Sequence, residues 1–277
     1  MSPDDYCGGK AAPVGSSLYY AVQVLRPPRR RAVIAVHALC RELADVVREI
    51  ADPGVADLKL GWWRAEIEAA FAGRPQHPVA QALAPVVASF ELSRERFDAL
   101  VDAAAADFDQ RSYPDFGSLE RHCLSLAGGL WSLSADIMGC SESATRGYAL
   151  ELGVALRLVA IIRDLGADTR RGRVYVPQDE LARFGVDARE LLRAQLPPGF
   201  TALMQHQAAR ARSRGAGALA RLPRADRRAQ RTGIIMAAIG EALLEEIERD
   251  GFRVLDRRIG LTPAAKAWIA WKKSWIR

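Results

Sequence analysis

Apolar side chains recur at three- and four-residue steps along almost the whole of this 277-residue chain. Val36, Cys40, Leu43 and Val47 show the spacing, which places them on one face of a helix. It predicts helices over 30–50, 58–71, 79–90, 94–108, 119–138, 144–165, 200–219 and 232–249, and a last one from residue 263. Sustained two-residue alternation, the mark of a strand, is absent from the sequence.

These patterns predict one all-α domain over residues 1–277, with a loop at the short strand-like fragment 173–177, which ends in proline. Hydrophobic residues make up 49% of the chain, enough for a large core. The four cysteines form no C-x-x-C pair, so we expect reduced thiols rather than a zinc site.

The formal net charge is +6, and the sequence pI is about 9.4. A basic chain suits nucleic acid, an anionic membrane surface or an anionic small substrate. Much of the charge is arginine, whose planar guanidinium matches phosphate, so phosphate-bearing partners are favoured. A basic surface that is merely solvated remains the alternative.

Asp164 and Asp168 are four residues apart, so a helix would project both carboxylates from one face. Two such carboxylates are the usual protein share of a magnesium site completed by water and substrate phosphate. Arginines follow at 170, 171 and 173, where they could bind phosphate. The alternative is a pair of surface aspartates neutralised by neighbouring arginines.

A second acidic ridge precedes this motif, with Glu42, Asp45 and Glu49 at three- and four-residue spacing. Facing acidic helices across a bundle are a recurrent way to build metal clusters. A solvated helix face is the simpler interpretation of this ridge taken alone.

Several ordered segments together resemble the squalene/phytoene synthase family. They are Gly15-Ser-Ser-Leu-Tyr-Tyr-Ala21, Arg29-Arg-Arg-Ala32, Cys40-Arg-Glu42, Lys59-Leu-Gly-Trp-Trp-Arg-Ala-Glu-Ile67, Pro75-Gln-His-Pro78, Arg163-Asp-Leu-Gly-Ala-Asp168, Gly172-Arg-Val-Tyr-Val-Pro177, Gly251-Phe-Arg-Val-Leu255 and Trp268-Ile-Ala-Trp271. The strongest similarity is to the bacterial branch that makes presqualene diphosphate for hopanoid synthesis.

The resemblance implies an isoprenoid-synthase-type helical bundle with a central cavity. Two farnesyl diphosphates would condense there, head to head, to presqualene diphosphate with release of pyrophosphate. Mg²⁺ would be held between two Asp-rich helices. Downstream hopanoid-pathway enzymes are candidate partners. The sequence contains no NADPH fingerprint, so reduction to squalene is not expected.

The chain departs from the family pattern in its first aspartate motif. Ala44 and Arg48 stand at the two metal-facing positions, and Asp45 alone survives. Two hypotheses follow: arginines at 41 and 48 hold the diphosphate directly, or the chain is a catalytically degraded paralogue that binds prenyl diphosphate or a partner enzyme without turnover. Trp131 replaces a glycine usual near the cavity and is expected to fill part of it.

The candidate site residues fall into two groups. The predicted catalytic and metal-binding carboxylates are Asp164, Asp168 and Asp45, with Glu49 as a further metal ligand. The predicted diphosphate-binding residues are Arg41, Arg48, Arg163, Arg171, Ser16, Ser17, Tyr20 and Tyr175.

The tail 263–277 has the composition of an interfacial helix, with Trp268, Trp271 and Trp275 on one face and Lys272, Lys273 and Arg277 beside it. The alternative is a helix that buries its tryptophans against the bundle. The N-terminus lacks a signal-peptide pattern, so we expect a cytoplasmic protein in peripheral contact with the inner face of the membrane. The arginine-rich segment 210–231 lacks a nucleic-acid motif, and no nucleic-acid partner is expected.

Overall fold

The computed structural model describes residues 1–193 and 197–275, and every regular element in them is helical. The helices are α1 (Pro3–Ala11), α2 (Ser17–Ala21), α3 (Pro27–Glu49), α4 (Pro53–Phe71), α5 (Pro78–Ser89), α6 (Arg94–Asp109), α7 (Phe116–Cys123), α8 (Gly129–Met138), α9 (Ser143–Arg170), α10 (Gln178–Arg183), α11 (Ala188–Leu192), α12 (Phe200–Arg221), α13 (Arg231–Arg249) and α14 (Pro263–Ser274). The all-α prediction is confirmed. The fragment 173–177 is a loop that makes one isolated bridge, between Val174 and Ser112.

Two differences from the predicted helices have local causes. The short helices α1, α2, α10 and α11 were missed because none is long enough to show an apolar period, although Ser2 forms a capping box with Asp5 at the start of α1. The predicted helix 119–138 is interrupted by a π-helical turn at Leu124–Gly128, which separates α7 from α8.

Helix α9 runs through the middle of the bundle and connects its two apolar cores. Its first half contributes Tyr148 and Leu152 to a core built with α1 and α3–α8. Its second half contributes Ile162 and Leu165 to a core built with α12, α13 and the loops around 174–186 and 252–259. Both cores therefore pack against this one helix.

The amino end of α9 is held by Asp226, which lies in the turn between α12 and α13. Its carboxylate accepts hydrogen bonds from the backbone N–H groups of Ser141 and Glu142 at 3.0 and 3.2 Å and from the Thr145 hydroxyl at 2.5 Å. A negative charge at this end also interacts favourably with the helix dipole.

Small residues on both sides allow α9 to approach the π turn closely. A Cβ on Gly153 would lie 2.3 Å from the carbonyl oxygen of Ala127 and 2.7 Å from Cα of Gly128. These are backbone atoms, which cannot move aside as a flexible side chain would. The crossing therefore requires glycine at position 153.

Gly153→Ala should destabilise the fold by about 1–3 kcal/mol, because the added methyl group overpacks a backbone contact. Thermal unfolding should show a lower Tm. Gly147→Ala is the matched control on the same helix: a Cβ there has no atom within 4 Å, so helix propensity should stabilise that variant by up to about 1 kcal/mol. Equal Tm values for the two variants would contradict the close crossing.

Candidate functional site

The carboxylate of Asp164 is bound by two guanidiniums from different parts of the chain. Arg163, the preceding residue in α9, donates from Nε at 2.8 Å, and Arg258 donates from Nε at 3.1 Å. Burial opposes ionisation, but these two arginines lower the pKa of Asp164 to about 2. Asp164 is thus ionised at neutral pH and paired with side-chain cations.

A glycine between the two aspartates explains how Arg258 reaches this position. A Cβ on Gly166 would lie 2.5 Å from the carbonyl oxygen of Val254 and 2.7 Å from that of Leu255. Arg170 fixes the same segment by donating to the Leu255 carbonyl at 3.2 Å. The chain after α13 therefore crosses α9 closely beside the motif and delivers Arg258 to Asp164.

Beside this ion pair lies a small cavity of about 140 Å³, which we call the cationic pocket. Its polar lining consists of Ser17, Arg163, Arg258 and Lys266. The Lys266 ammonium donates to the carbonyl of Gly15 at 2.8 Å, and its pKa is lowered by burial and by the two arginines nearby. Three cations and a hydroxyl around one cavity form a site for a multiply charged anion.

The second aspartate of the motif, Asp168, is buried with 5% of its surface exposed. Burial raises its pKa, and the charges of Arg157 and Arg48 act in the opposite direction. Arg157 also lies 4.8 Å from the centre of the Tyr175 ring. The cations near Asp168 therefore come from both α9 and α3.

The α3 residues Arg41 and Arg48 interact electrostatically with charged residues of α9. Burial lowers the pKa of Arg41, and the neighbouring charges of Arg48 and Arg163 lower it further, whereas Asp164 and Asp45 act in the opposite direction. The charge of Arg48 also acts on Asp168. The Arg41 side chain is solvent-exposed.

Burial raises the pKa of the neighbouring Cys40 thiol to about 12. Trp131 is 4% exposed, and its ring packs edge to face against His37 with centroids 5.3 Å apart. The indole therefore packs within the apolar core.

The acidic ridge on α3 faces α1 rather than Asp164 and Asp168. Lys10 of α1 forms ion pairs with Asp45 at 2.6 Å and Glu42 at 3.0 Å, and the Tyr6 hydroxyl donates to Glu42 at 2.7 Å. Glu49, one turn beyond Asp45, is exposed. The carboxylate of Asp45 is thus neutralised by a neighbouring helix.

These contacts bear on the expected magnesium site. Within residues 1–193 and 197–275, no three His, Cys, Asp or Glu side chains are grouped so that they could hold a metal ion. Asp164 is paired with two arginines, and Asp45 is paired with Lys10. The described side chains therefore do not fit the two-helix carboxylate cluster that the resemblance implies.

The structure separates the remaining predicted diphosphate-binding residues. Ser16 caps α2 by accepting a hydrogen bond from the Tyr19 N–H at 3.1 Å. Tyr20 lies against α13 and α14. Tyr175 is buried and donates to Asp107 at 2.9 Å, and Arg171 is exposed at the end of α9. Of the predicted set, Ser17 and Arg163 line the cationic pocket, whereas Arg41 and Arg48 of α3 act electrostatically on Arg163 and Asp168 without lining it.

Two further arginine groups have structural partners. Arg173 is buried and donates to the carbonyls of Asp107 and Phe108 at the end of α6, at 2.5 and 3.1 Å. In the arginine-rich segment, Arg212 pairs with Glu241 and Glu248 at 2.6 Å. Arg210 and Arg214 likewise pair with carboxylates of other elements.

A second cavity, of about 550 Å³, lies between α9, α12 and α13, with α14 at its rim. We call it the apolar groove; its lining includes Leu152, Leu156, Val159, Leu219, Ile234 and Leu244. Val159 precedes Arg163 by one helical turn, and Leu244 follows Leu243 of the cationic pocket. The groove and the cationic pocket are therefore neighbours, and together they suit a ligand with an apolar chain and an anionic head.

Sequence reasoning missed three cations of the site: Lys10, Arg258 and Lys266. Each acts on residues far away in the chain, so spacing gave no signal for them. Arg258 follows the family-like segment 251–255 closely, and Lys266 lies in the predicted final helix. Both residues therefore stand in or near recognised segments, but the sequence does not show which residues they contact.

Comparisons with known proteins agree with this architecture. The chain is 29% identical over 285 residues to a chloroplastic phytoene synthase of an Oncidium hybrid cultivar, covering 99% of the chain and 68% of the relative. It is 33% identical over 214 residues to the chloroplastic phytoene synthase 2 of Solanum lycopersicum, covering 75% and 69%. The chain thus spans about two thirds of the length of these curated relatives.

Solved structures show the same fold. Squalene synthase HpnC from Alicyclobacillus acidocaldarius superposes with a TM-score of 0.77 at 24% identity, covering 90% of this chain and 94% of that one. A dehydrosqualene synthase solved with a ligand gives a TM-score of 0.84 at 22% identity, covering 98% and 95%. The sequence profile of the squalene/phytoene synthase family matches residues 11–265. The chain belongs to the squalene/phytoene synthase family.

Proposed function

We propose that the chain is a prenyltransferase that condenses two farnesyl diphosphates head to head to presqualene diphosphate. The observation that carries the proposal is the cationic pocket beside the apolar groove, since Leu243 and Arg163 line the pocket while Leu244 and Val159 line the groove. A groove of this volume is within the ~300–1,000 Å³ range of small-molecule sites. The family supplies the type of reaction, and the choice of farnesyl chain and product is ours.

In this reaction the C1–O bond of one farnesyl diphosphate breaks, and pyrophosphate leaves with the electron pair. The double bond of the second molecule attacks the allylic cation, and loss of a proton closes the cyclopropane ring. The second diphosphate is retained in the product. Catalysis therefore requires stabilisation of a departing anion and protection of a cation from water.

The residues that line the cationic pocket and the apolar groove suit both tasks. Arg163, Arg258 and Lys266 would receive the negative charge that develops on the leaving diphosphate, in a pocket whose cations are already oriented. The apolar side chains of the groove would keep water from the allylic cation. Ser17 adds a hydroxyl donor at the same pocket.

A second candidate is a paralogue that binds prenyl diphosphate without turnover. Two observations favour it: Ala44 and Arg48 replace metal-facing aspartates, and Lys10 neutralises Asp45 at 2.6 Å. Purified protein given farnesyl diphosphate separates the two candidates. Release of pyrophosphate supports the transferase, whereas heat stabilisation by the ligand without pyrophosphate supports the binder.

Arg258→Gln should lower the rate of pyrophosphate release by about tenfold or more, because a charged hydrogen-bond donor to the leaving group is lost. The adjacent Arg257→Gln is the matched control, since Arg257 pairs with Asp250 on the surface instead. A steady-state assay with farnesyl diphosphate gives both rates. Equal losses in the two variants would remove Arg258 from the site.

We also propose peripheral contact of α14 with an anionic membrane. Trp268, Trp271 and Trp275 are 61%, 54% and 72% exposed, so this helix does not bury its tryptophans against the bundle. Lys272 and Lys273 stand beside them, and Trp268 also lines the apolar groove. Arg277 lies outside the described residues. Across those residues, every helix is too short or too polar to span a bilayer.

Replacing Trp268, Trp271 and Trp275 together with alanine should weaken binding to phosphatidylglycerol vesicles by at least about tenfold, because three buried indoles are lost from the interface. Co-sedimentation measures the bound fraction. The control is Trp62→Ala, which removes a tryptophan 38% exposed on α4. Undiminished binding of the triple variant would contradict the assignment of α14.

A further inference from the structure

We infer that this chain holds a prenyl diphosphate with side-chain cations alone and needs no divalent metal to do so. The inference rests on the proposed prenyl diphosphate site and concerns how that site neutralises its ligand. Among the described residues, the carboxylates do not form a group that could hold a metal ion.

Three carboxylates of the two acidic motifs, Glu42, Asp45 and Asp164, are already paired with protein cations. Asp45 and Glu42 share Lys10, at 2.6 and 3.0 Å, on the side of α3 that packs against α1. Asp164 accepts hydrogen bonds from Arg163 and Arg258. A metal ion at either position would first have to displace a charged, hydrogen-bonded partner.

Cations stand where a metal cluster would need acidic groups. Arg48 lies one helical turn beyond Ala44 on α3, and its charge opposes the rise in the pKa of Asp168 that burial causes. The charge of Arg157 on α9 acts in the same direction, and its guanidinium lies 3.9 Å from the buried Asp107. The charges that act on Asp168 thus include guanidiniums from both helices.

The balance of charge at the anionic end of the site is positive. Six cations act there: Arg41, Arg48, Arg157, Arg163, Arg258 and Lys266. The carboxylates that act on them are Asp164 and Asp168 of the motif, Asp107 beside Arg157 and Asp45, whose charge acts on Arg41. A site with this excess of positive charge attracts a multiply charged diphosphate directly. Guanidiniums also match phosphate oxygens in geometry, which lets them replace the bridging role of a metal.

The test uses the full chain and farnesyl S-thiolodiphosphate, an analogue whose C–S bond resists ionisation. Calorimetric titration is carried out in EDTA and, separately, in excess Mg²⁺. The inference predicts dissociation constants within about threefold of each other, since the protein supplies the counter-charge. Binding more than about tenfold tighter in Mg²⁺ would overturn it while leaving the proposed substrate class intact.

Absence of binding in both buffers would instead overturn the proposed function, and the inference with it. The two failures are therefore distinguishable in one pair of titrations. Inorganic pyrophosphate, titrated in EDTA, should bind through the same cations, with a weaker constant because the groove is left empty.

Variants identify the residues responsible. In EDTA, Arg48→Gln should bind the analogue about tenfold more weakly, through loss of one charged donor. Arg31→Gln is the matched control on α3, because Arg31 pairs with Asp4 at the surface. Equal affinities for the two variants would overturn the role of Arg48, and circular dichroism melts check that both remain folded.

The double variant Ala44→Asp with Arg48→Asp makes the opposite change. It should lose binding in EDTA by more than about tenfold and recover it in Mg²⁺, because carboxylates replace the cations on the ridge. Retention of full affinity in EDTA would contradict the inference.

Discussion

The ion pairs that Arg163 and Arg258 make with Asp164 connect the fold to the proposed chemistry. They depend on α9, which carries the aspartate motif through both cores, and on Gly166, which lets the chain after α13 pass at backbone contact. The same crossing brings Arg258 to the cationic pocket beside Lys266. Without the close approach at Gly166, Arg258 would not reach the cationic pocket.

Much of the fold could be predicted from the sequence because its signals are local. Nine long helices show a three- to four-residue apolar period, and the structure places all of them within a few residues of the predicted bounds, apart from the π turn that divides one of them. The close crossing of Gly153 with Ala127 and Gly128 is not local in this sense. It could not be predicted, because nothing in the sequence of one helix specifies which residue of another it meets.

The candidate site was predictable in part. The spacing of Asp164 and Asp168 placed both carboxylates on one face of a helix. The family resemblance added Ser17 and Arg163, which line the cationic pocket. The acidic ridge of α3 was ambiguous from spacing, which does not show which helix face a neighbour covers. Lys10 decides that question for Asp45 from 35 positions away. Long-range charge pairing of this kind determines whether a carboxylate is available to bind a metal, and it becomes visible only in three dimensions.

The central claim is that the diphosphate is bound by protein cations beside Asp164. A crystal structure of the chain with farnesyl S-thiolodiphosphate, grown with Mg²⁺ present, tests it most directly. The account predicts diphosphate oxygens within hydrogen-bonding distance of Arg163, Arg258 and Lys266, with the farnesyl chain in the apolar groove and no metal ion between the ligand and the aspartates. Magnesium ions coordinated by Asp164 and Asp168 and bridging to the diphosphate would contradict it.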